Sequence, residues 1–261
     1  MVDGTFMQLT ELNAVVTGGA SGLGFAVAKK IVLAGGQVTL LDNNKQQGNA
    51  VTSALAGRSA FIATDVTDES AVNTAISRAQ QQMGGINAAI NCAGIATPAR
   101  LLGKDGTMAG AFFKKMIEIN LIGTVLVAKA AATAMQQNAP NAANERGVIV
   151  MTASVAAFDG QIGQVAYAAS KGGIVAMTLP MARELASSGI RVMTIAPGLF
   201  ATPMMQALPR ETQDSLSRQT PFPQRLGEPD EYAALVAHIM ENTMLNGETI
   251  RLDGAIRMQP R

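Results

Sequence analysis

Three residues of this chain have the types and spacing to move a proton onto or off an oxygen atom: Ser154, Tyr167 and Lys171. Tyr167 and Lys171 stand four apart, so a helix would stack them on one face about one turn from each other. Ser154 lies thirteen residues before the tyrosine, just beyond GVIVM, an apolar run that reads as a buried strand. A serine at a strand's carboxyl end would face a tyrosine and a lysine on the following helix. Free tyrosine titrates near pH ~10, too high for a useful base at neutrality. A neighbouring ammonium favours the phenolate and would lower that value. The serine hydroxyl would hold the reacting oxygen. The trio suits acid–base chemistry on a carbonyl or an alcohol, although Tyr-x-x-x-Lys also occurs as an ordinary pair on a helix surface.

The elements that must position these residues alternate in type along the chain. Strands are expected over 12–17, 38–42, 60–64, 86–91, 147–153, 190–196 and 248–253. Helices are expected over about 23–34, 45–55, 68–82, 110–137, 163–187 and 230–242. Gly35 and Gly36 should end the first helix, and Pro180 should kink or break the one that carries Tyr167. Strands that are apolar throughout, alternating with amphipathic helices, imply a parallel sheet covered on both faces. With no repeat, low-complexity tract or composition break, residues 1–261 read as one α/β domain. The Pro- and Met-rich stretch at about 198–229 is a candidate substrate lid.

Composition narrows the class. The chain has 261 residues, 48% of them hydrophobic, which is ample for a core. A net charge of +1 advertises neither a nucleic-acid surface nor an acidic membrane partner. The single cysteine, Cys92, precludes an intrachain disulfide. The longest apolar stretches are interrupted by Lys29, Lys30 and paired glycines, so no membrane-length run is expected. The amino end lacks the pattern of a secretory or transit leader, and the cytoplasm is the default expectation.

TGGASGLG at 17–24 follows the first strand and opens the first helix. Its glycines, Gly18, Gly22 and Gly24 among them, would let a pyrophosphate approach the backbone at a positive helix N-terminus. Asp42, at the end of the second strand, is placed to accept hydrogen bonds from an adenosine ribose. Its carboxylate would repel a 2′-phosphate, which favours NAD over NADP; a helix-capping role is the alternative. Asp65 and Val66 follow the third strand, where the aspartate would either meet adenine or, like Asp68, cap the next helix. NCAG at 91–94 offers the small residues Cys92, Ala93 and Gly94 where a cofactor would pass, and the thiol reads as packing. Asn120, inside the long helix, must find polar partners, either between helices or through a water near Lys171. The one histidine, His238, excludes a His-rich metal site, no metal is expected, and without a GxSxG elbow it does not suggest a hydrolase triad. Phe200, Met204, Met205 and Leu208 would form an apolar lid or simply fill the core.

TGGASGLG, NCAG, Asn120, Ser154, Tyr-x-x-x-Lys and Pro197–Gly198 together resemble the short-chain dehydrogenase/reductase family over essentially the whole chain. The segments from Thr152 to Ala186, from Gly189 to Met205 and from Leu245 to Pro260 resemble its 3-hydroxyacyl-CoA and 17β-hydroxysteroid dehydrogenase branch. That resemblance implies a Rossmann-type, doubly wound, seven-stranded parallel sheet of order 3-2-1-4-5-6-7, NAD as cofactor and a homotetramer. It places a catalytic tetrad on Asn120, Ser154, Tyr167 and Lys171, with Ser154 and Tyr167 also touching substrate. Cofactor contacts would come from Gly18, Ser21, Gly22, Leu23, Gly24, Asp42, Asp65, Val66, Cys92, Ala93, Gly94, Tyr167, Lys171, Pro197, Gly198, Phe200 and Thr202. The implied reaction interconverts a (3S)-3-hydroxyacyl-CoA, with or without a 2-methyl branch, with its 3-ketoacyl-CoA, as in β-oxidation of fatty acids. The loop at 96–112 and the stretch at 205–219 depart from the pattern, so the chemistry transfers more securely than the substrate. Arg100 and Lys104 would meet CoA phosphates or remain solvated. The rivals are a steroid or other secondary-alcohol dehydrogenase, a 3-ketoacyl-carrier-protein reductase, and a non-catalytic NAD-binding subunit of an RNA-processing complex.

Overall fold

The computed structural model describes residues 7–55, 57–104, 106–207 and 209–260, with the side chain of Met204 also excepted. Leu208 and the side chain of Met204, expected in the lid, therefore lie outside the described residues, as do residues 1–6 of the amino end.

Seven strands form one sheet: β1 (Asn13–Thr17), β2 (Gln37–Asp42), β3 (Ser59–Ala63), β4 (Ala88–Asn91), β5 (Gly147–Thr152), β6 (Ile190–Pro197) and β7 (Thr249–Leu252). All neighbours are parallel and their order is β3-β2-β1-β4-β5-β6-β7, the order that the family resemblance implies. Alternate residues of the inner strands feed two separate cores, which is why those strands are largely apolar. Val15, Ile149 and Met151 pack with α3 (Glu69–Met83), α5 (Gly123–Met135) and α6 (Val165–Leu185). Ala14, Val16, Val148 and Val150 pack with α1 (Gly22–Ala34) and α9 (Pro229–Glu241). A further helix, α2 (Lys45–Ala54), connects β2 to β3.

The order reverses between β1 and β4, so the crevice beyond their carboxyl ends is where a ligand fits. Gly18, Asp42, Cys92, Ser154 and Gly198 all lie within two residues of a strand's carboxyl end.

Several features differ from the sequence expectation. The long helix at 110–137 is α4 (Gly110–Ile117), a π-helical turn at Glu118–Ile122, and then α5. The run Gly110–Met135 is long and apolar enough to cross a membrane by length and composition, contrary to the expected absence of such a stretch. Half of its most apolar window is buried inside the protein, as in a core helix. Pro180 does not break α6, which runs unbroken from Val165 to Leu185 with Pro180 on its exposed side. The candidate lid carries two helices that the sequence reading did not assign, α7 (Pro203–Gln206) and α8 (Arg210–Arg218). A small antiparallel hairpin, Leu102–Gly103 with Gly106–Thr107, stands in the loop after β4.

Candidate active site

One cleft of about 1100 Å³ runs along the carboxyl ends of the strands. Every candidate cofactor residue from the sequence lines it, as does Ser154; Asn120 does not.

At one end lies the glycine turn between β1 and α1. Gly18 has φ +61°, a left-handed conformation that side chains resist, and a Cβ there would come within 2.9 Å of the Ala93 backbone nitrogen. A Cβ on Gly24 would stand 2.5 Å from the Gly18 carbonyl oxygen. The turn is thus pressed onto NCAG, and α1 onto the turn. Thr17 Oγ1 accepts from the Cys92 and Ala93 amides, each at 3.1 Å, and fixes the two loops together. Ser21 occupies the N-cap of α1 without a side-chain capping bond, so its hydroxyl and the helix's first amides face the cleft without that internal partner. Asp42 accepts from the Ala20 and Asn44 amides at 3.2 and 3.0 Å and presents its carboxylate beside this turn. The two readings of Asp65 separate cleanly. Asp68 caps α3 by accepting from the Ser70 and Ala71 amides, whereas Asp65 binds Thr67 and lines the cleft with Val66.

At the other end stand Ser154, Tyr167 and Lys171. Lys171 is 5% exposed, and its Nζ donates to the Thr152 carbonyl at 2.7 Å while lying 5.8 Å from the centre of the Tyr167 ring. Desolvation pushes its pKa down to about 8, partly opposed by the nearby Cys92. Tyr167 moves the opposite way from the sequence expectation: burial raises its pKa, and the Ser154 hydroxyl only partly offsets this. The spacing identified the neighbours correctly, but the expected lowering by an ammonium assumed a charge free of any solvation cost. Here both groups share one poorly solvated site, and burial outweighs their proximity.

Asn120 is fully buried at the π turn. Its Oδ1 accepts from the Ile95 amide at 2.8 Å, and its Nδ2 donates to the Ile95 carbonyl at 2.9 Å and to Ser170 Oγ at 3.0 Å. The side chain therefore ties the loop after β4 to α6, which carries Tyr167 and Lys171. Gly94 lies between the two, where a Cβ would be 3.1 Å from Asn120 Oδ1 and 3.6 Å from Lys171 Nζ. The Cys92 thiol, its pKa pushed up by burial, accepts from Thr152 Oγ1 at 3.5 Å, in keeping with a packing role. Phe200 is 7% exposed and meets Tyr232 edge-on at 6.5 Å.

Other lining residues were not singled out from the sequence: Gln161, Gln164, Lys115, Glu118, Leu216 and Met258. The two glutamines were open to discovery, since they lie on the loop that must carry the chain from Ser154 to the Tyr167 helix. Met258 carried no such signal; it reaches the cleft because the Ile162 amide and the Gln161 side chain bond to the carbonyls of Pro260 and Gln259. Arg100 and Lys104 are exposed and outside the cleft lining. His238 is exposed on α9 beside Asn242. Among the described residues no three His, Cys, Asp or Glu side chains cluster as a metal site would need.

Residues 12–213 match the family model described as short chain dehydrogenase. The chain belongs to the short-chain dehydrogenase family. This short-chain dehydrogenase is 53% identical over 251 residues to the human 3-hydroxyacyl-CoA dehydrogenase type-2, covering 95% of this chain and 96% of that one. It is 50% identical over 252 residues to the Drosophila melanogaster protein of the same name, covering 95% and 99%. The crystal structure of 3-hydroxyacyl-CoA dehydrogenase type-2 from Mycobacterium avium superposes with a TM-score of 0.90 at 41% identity, covering 95% of this chain and 96% of that one. The protein is accordingly an oxidoreductase.

Proposed function

We propose that this short-chain dehydrogenase interconverts a (3S)-3-hydroxyacyl-CoA and its 3-ketoacyl-CoA, branched chains included, using NAD. The observation that carries the reading is one cleft with Ser154, Tyr167 and Lys171 at one end and the glycine turn with Asp42 at the other. That cleft suits a dinucleotide: the Ser21 hydroxyl is not spent on capping, Gly18 and Gly24 leave no room for side chains, and Asp42 awaits a hydroxyl-bearing ribose. Bound there, the nicotinamide would accept or supply the hydride. Tyr167 gives its phenolic proton to the carbonyl oxygen in reduction and takes the hydroxyl proton in oxidation. Ser154 donates a hydrogen bond to the same oxygen and steadies its developing charge. Lys171, still largely protonated at neutrality with a pKa of about 8, places an ammonium beside the phenol and within reach of a ribose. Asn120 holds the loop and helix that frame these groups, and a water beside it would link Lys171 to solvent.

The preference for NAD rests on Asp42. Among the described residues only Lys115 and Lys171 supply positive charge to the cleft lining, so a 2′-phosphate would meet a carboxylate with no guanidinium among them. With acetoacetyl-CoA as substrate, NADH should exceed NADPH in kcat/KM by about tenfold or more, since like charges in contact cost several kcal/mol. Asp42→Ala should narrow that ratio. Equal rates with both cofactors would refute the Asp42 assignment. Turnover of a steroid ketone but not of acetoacetyl-CoA would keep the chemistry and replace the substrate.

We also propose that the chain assembles as a homotetramer. Ile122 and Val125 on the α4–α5 run and Val165 and Leu179 on α6 remain 38–47% exposed, an apolar face that subunit contact would cover. Light scattering of the purified protein should return about four times the 27.0 kDa chain mass, and a monomer would defeat the proposal.

A further inference from the structure

Beyond Lys171 lies a buried polar chain that the proposed reaction does not use. Tyr232, on α9, is completely buried, and its hydroxyl stands 2.7 Å from Thr152 Oγ1. Burial raises the phenol's pKa well above its ordinary value, so it keeps its proton, and because the single Thr152 hydroxyl proton goes to Cys92 it is Tyr232 that donates to Thr152. Thr152 Oγ1 in turn donates to the Cys92 sulfur at 3.5 Å. Thr152 is the last residue of β5, and its carbonyl is, among the described residues, the hydrogen-bond acceptor of Lys171 Nζ. One residue therefore carries both contacts: its side chain meets Tyr232 and its main chain meets the lysine.

A purely structural core would not need these hydroxyls. Phenylalanine at 232 and valine at 152 would fill similar space with no polar group to satisfy. The ring of Tyr232 has a separate task, meeting Phe200 edge-on with an interplanar angle of 87° at the base of the 198–229 segment. We propose that Tyr232 is a positioning residue for Lys171: its hydroxyl holds Thr152, and the Thr152 carbonyl fixes the ammonium beside Tyr167. This rests on the role given to Lys171 in the proposed function. The titratable groups facing the ammonium are Cys92, just after β4, and Tyr167 from α6, while Tyr232 from α9 reaches it only by way of Thr152 and Cys92. Lys115 and Glu118, from α4 and the π turn, line the same cleft. Among the described residues the ammonium's resolved influences are burial, Cys92 and the Thr152 carbonyl, so it depends on the carbonyl dipole, and a small displacement of that dipole alters both its position and its titration.

The test compares wild type, Tyr232→Phe, Thr152→Val, Thr152→Ser and the Thr152→Val/Tyr232→Phe pair in acetoacetyl-CoA reduction. Rates are normalised to NADH-binding sites. Tyr232→Phe and Thr152→Val should each lower kcat about two- to tenfold, the effect of one buried hydrogen bond, with KM little changed. The alkaline limb of the kcat profile should move to lower pH, because an ammonium held less well gives up its proton sooner. The double variant should be no worse than the poorer single, and Thr152→Ser should recover most of the loss seen in Thr152→Val. Wild-type kcat and pH profile in Tyr232→Phe would overturn the proposal. So would additive losses, or a fall in melting temperature with turnover per site unchanged. If Tyr232→Phe does not fold, the Thr152→Val and Thr152→Ser comparison decides. Lys171→Met at the wild-type rate would instead overturn the catalytic reading itself.

Discussion

Replacing Tyr167 by phenylalanine should lower kcat by about 10²- to 10⁴-fold, the span expected when a positioned acid–base group is removed. NADH should still bind, because the ring stays in place and the glycine turn and Asp42 lie at the other end of the cleft. The prediction depends on which state the phenol occupies. Burial raises its pKa above the ordinary value of 10.0, with the Ser154 hydroxyl only partly offsetting the rise, so near neutrality it carries its proton. That state suits reduction, where the proton is donated. Oxidation needs the phenolate, so the wild-type oxidative rate should climb toward alkaline pH while the Phe variant shows no such climb. Single-turnover absorbance of NADH, recorded in both directions across pH, reads both effects. Wild-type turnover in the Phe variant would remove Tyr167 from the reaction.

The same residues show what the sequence discloses and what it withholds. The sheet was legible because strands buried on both faces are apolar at every position, as Val148, Ile149, Val150 and Met151 are. Tyr167 and Lys171 were legible because a helix brings fourth neighbours together. The π turn was not, since it inserts a single extra residue into a turn and leaves the apolar pattern of 110–135 almost undisturbed. Its trace was a polar side chain, Asn120, among apolar neighbours. Solvation was also hidden. Composition and spacing show that an ammonium stands near a phenol, but the direction of the phenol's shift depends on burial created by residues distant in the chain. The Thr152–Tyr232 bond is such a distant effect, joining positions 80 residues apart. The substrate end was least legible, since Met258 enters the cleft on a segment tied to the loop at 161–162 by the Ile162 amide and the Gln161 side chain.

Lys171→Met should make the enzyme nearly inactive and, at neutral pH, more stable. The loss of turnover should be about 10²-fold or more, as for other preorganised charges at a reacting centre. The stability gain follows from linkage. In the folded protein the lysine has a pKa of about 8, against 10.5 for the free side chain. Below pH 8 both states are charged and the fold bears the whole cost of the buried ammonium. As pH rises from 8 to 10.5 the folded protein holds fewer protons than the unfolded chain, so its stability increases and the cost fades. That cost is about 3 kcal/mol at neutrality, from roughly 1.4 kcal/mol per pH unit. Methionine leaves the Thr152 carbonyl without its donor, which gives back about 1–2 kcal/mol. The net gain of about 1–2 kcal/mol corresponds to a melting temperature a few degrees higher. Thermal denaturation of both proteins at pH 7 and pH 10 is the check, and the gap should shrink at the higher pH. A variant less stable at pH 7, or a gap that widens at pH 10, would mean that the ammonium is better solvated than its 5% exposure and single carbonyl contact imply. The expected result makes Lys171 a residue kept at the expense of the fold, which its role in proton transfer explains and packing alone does not.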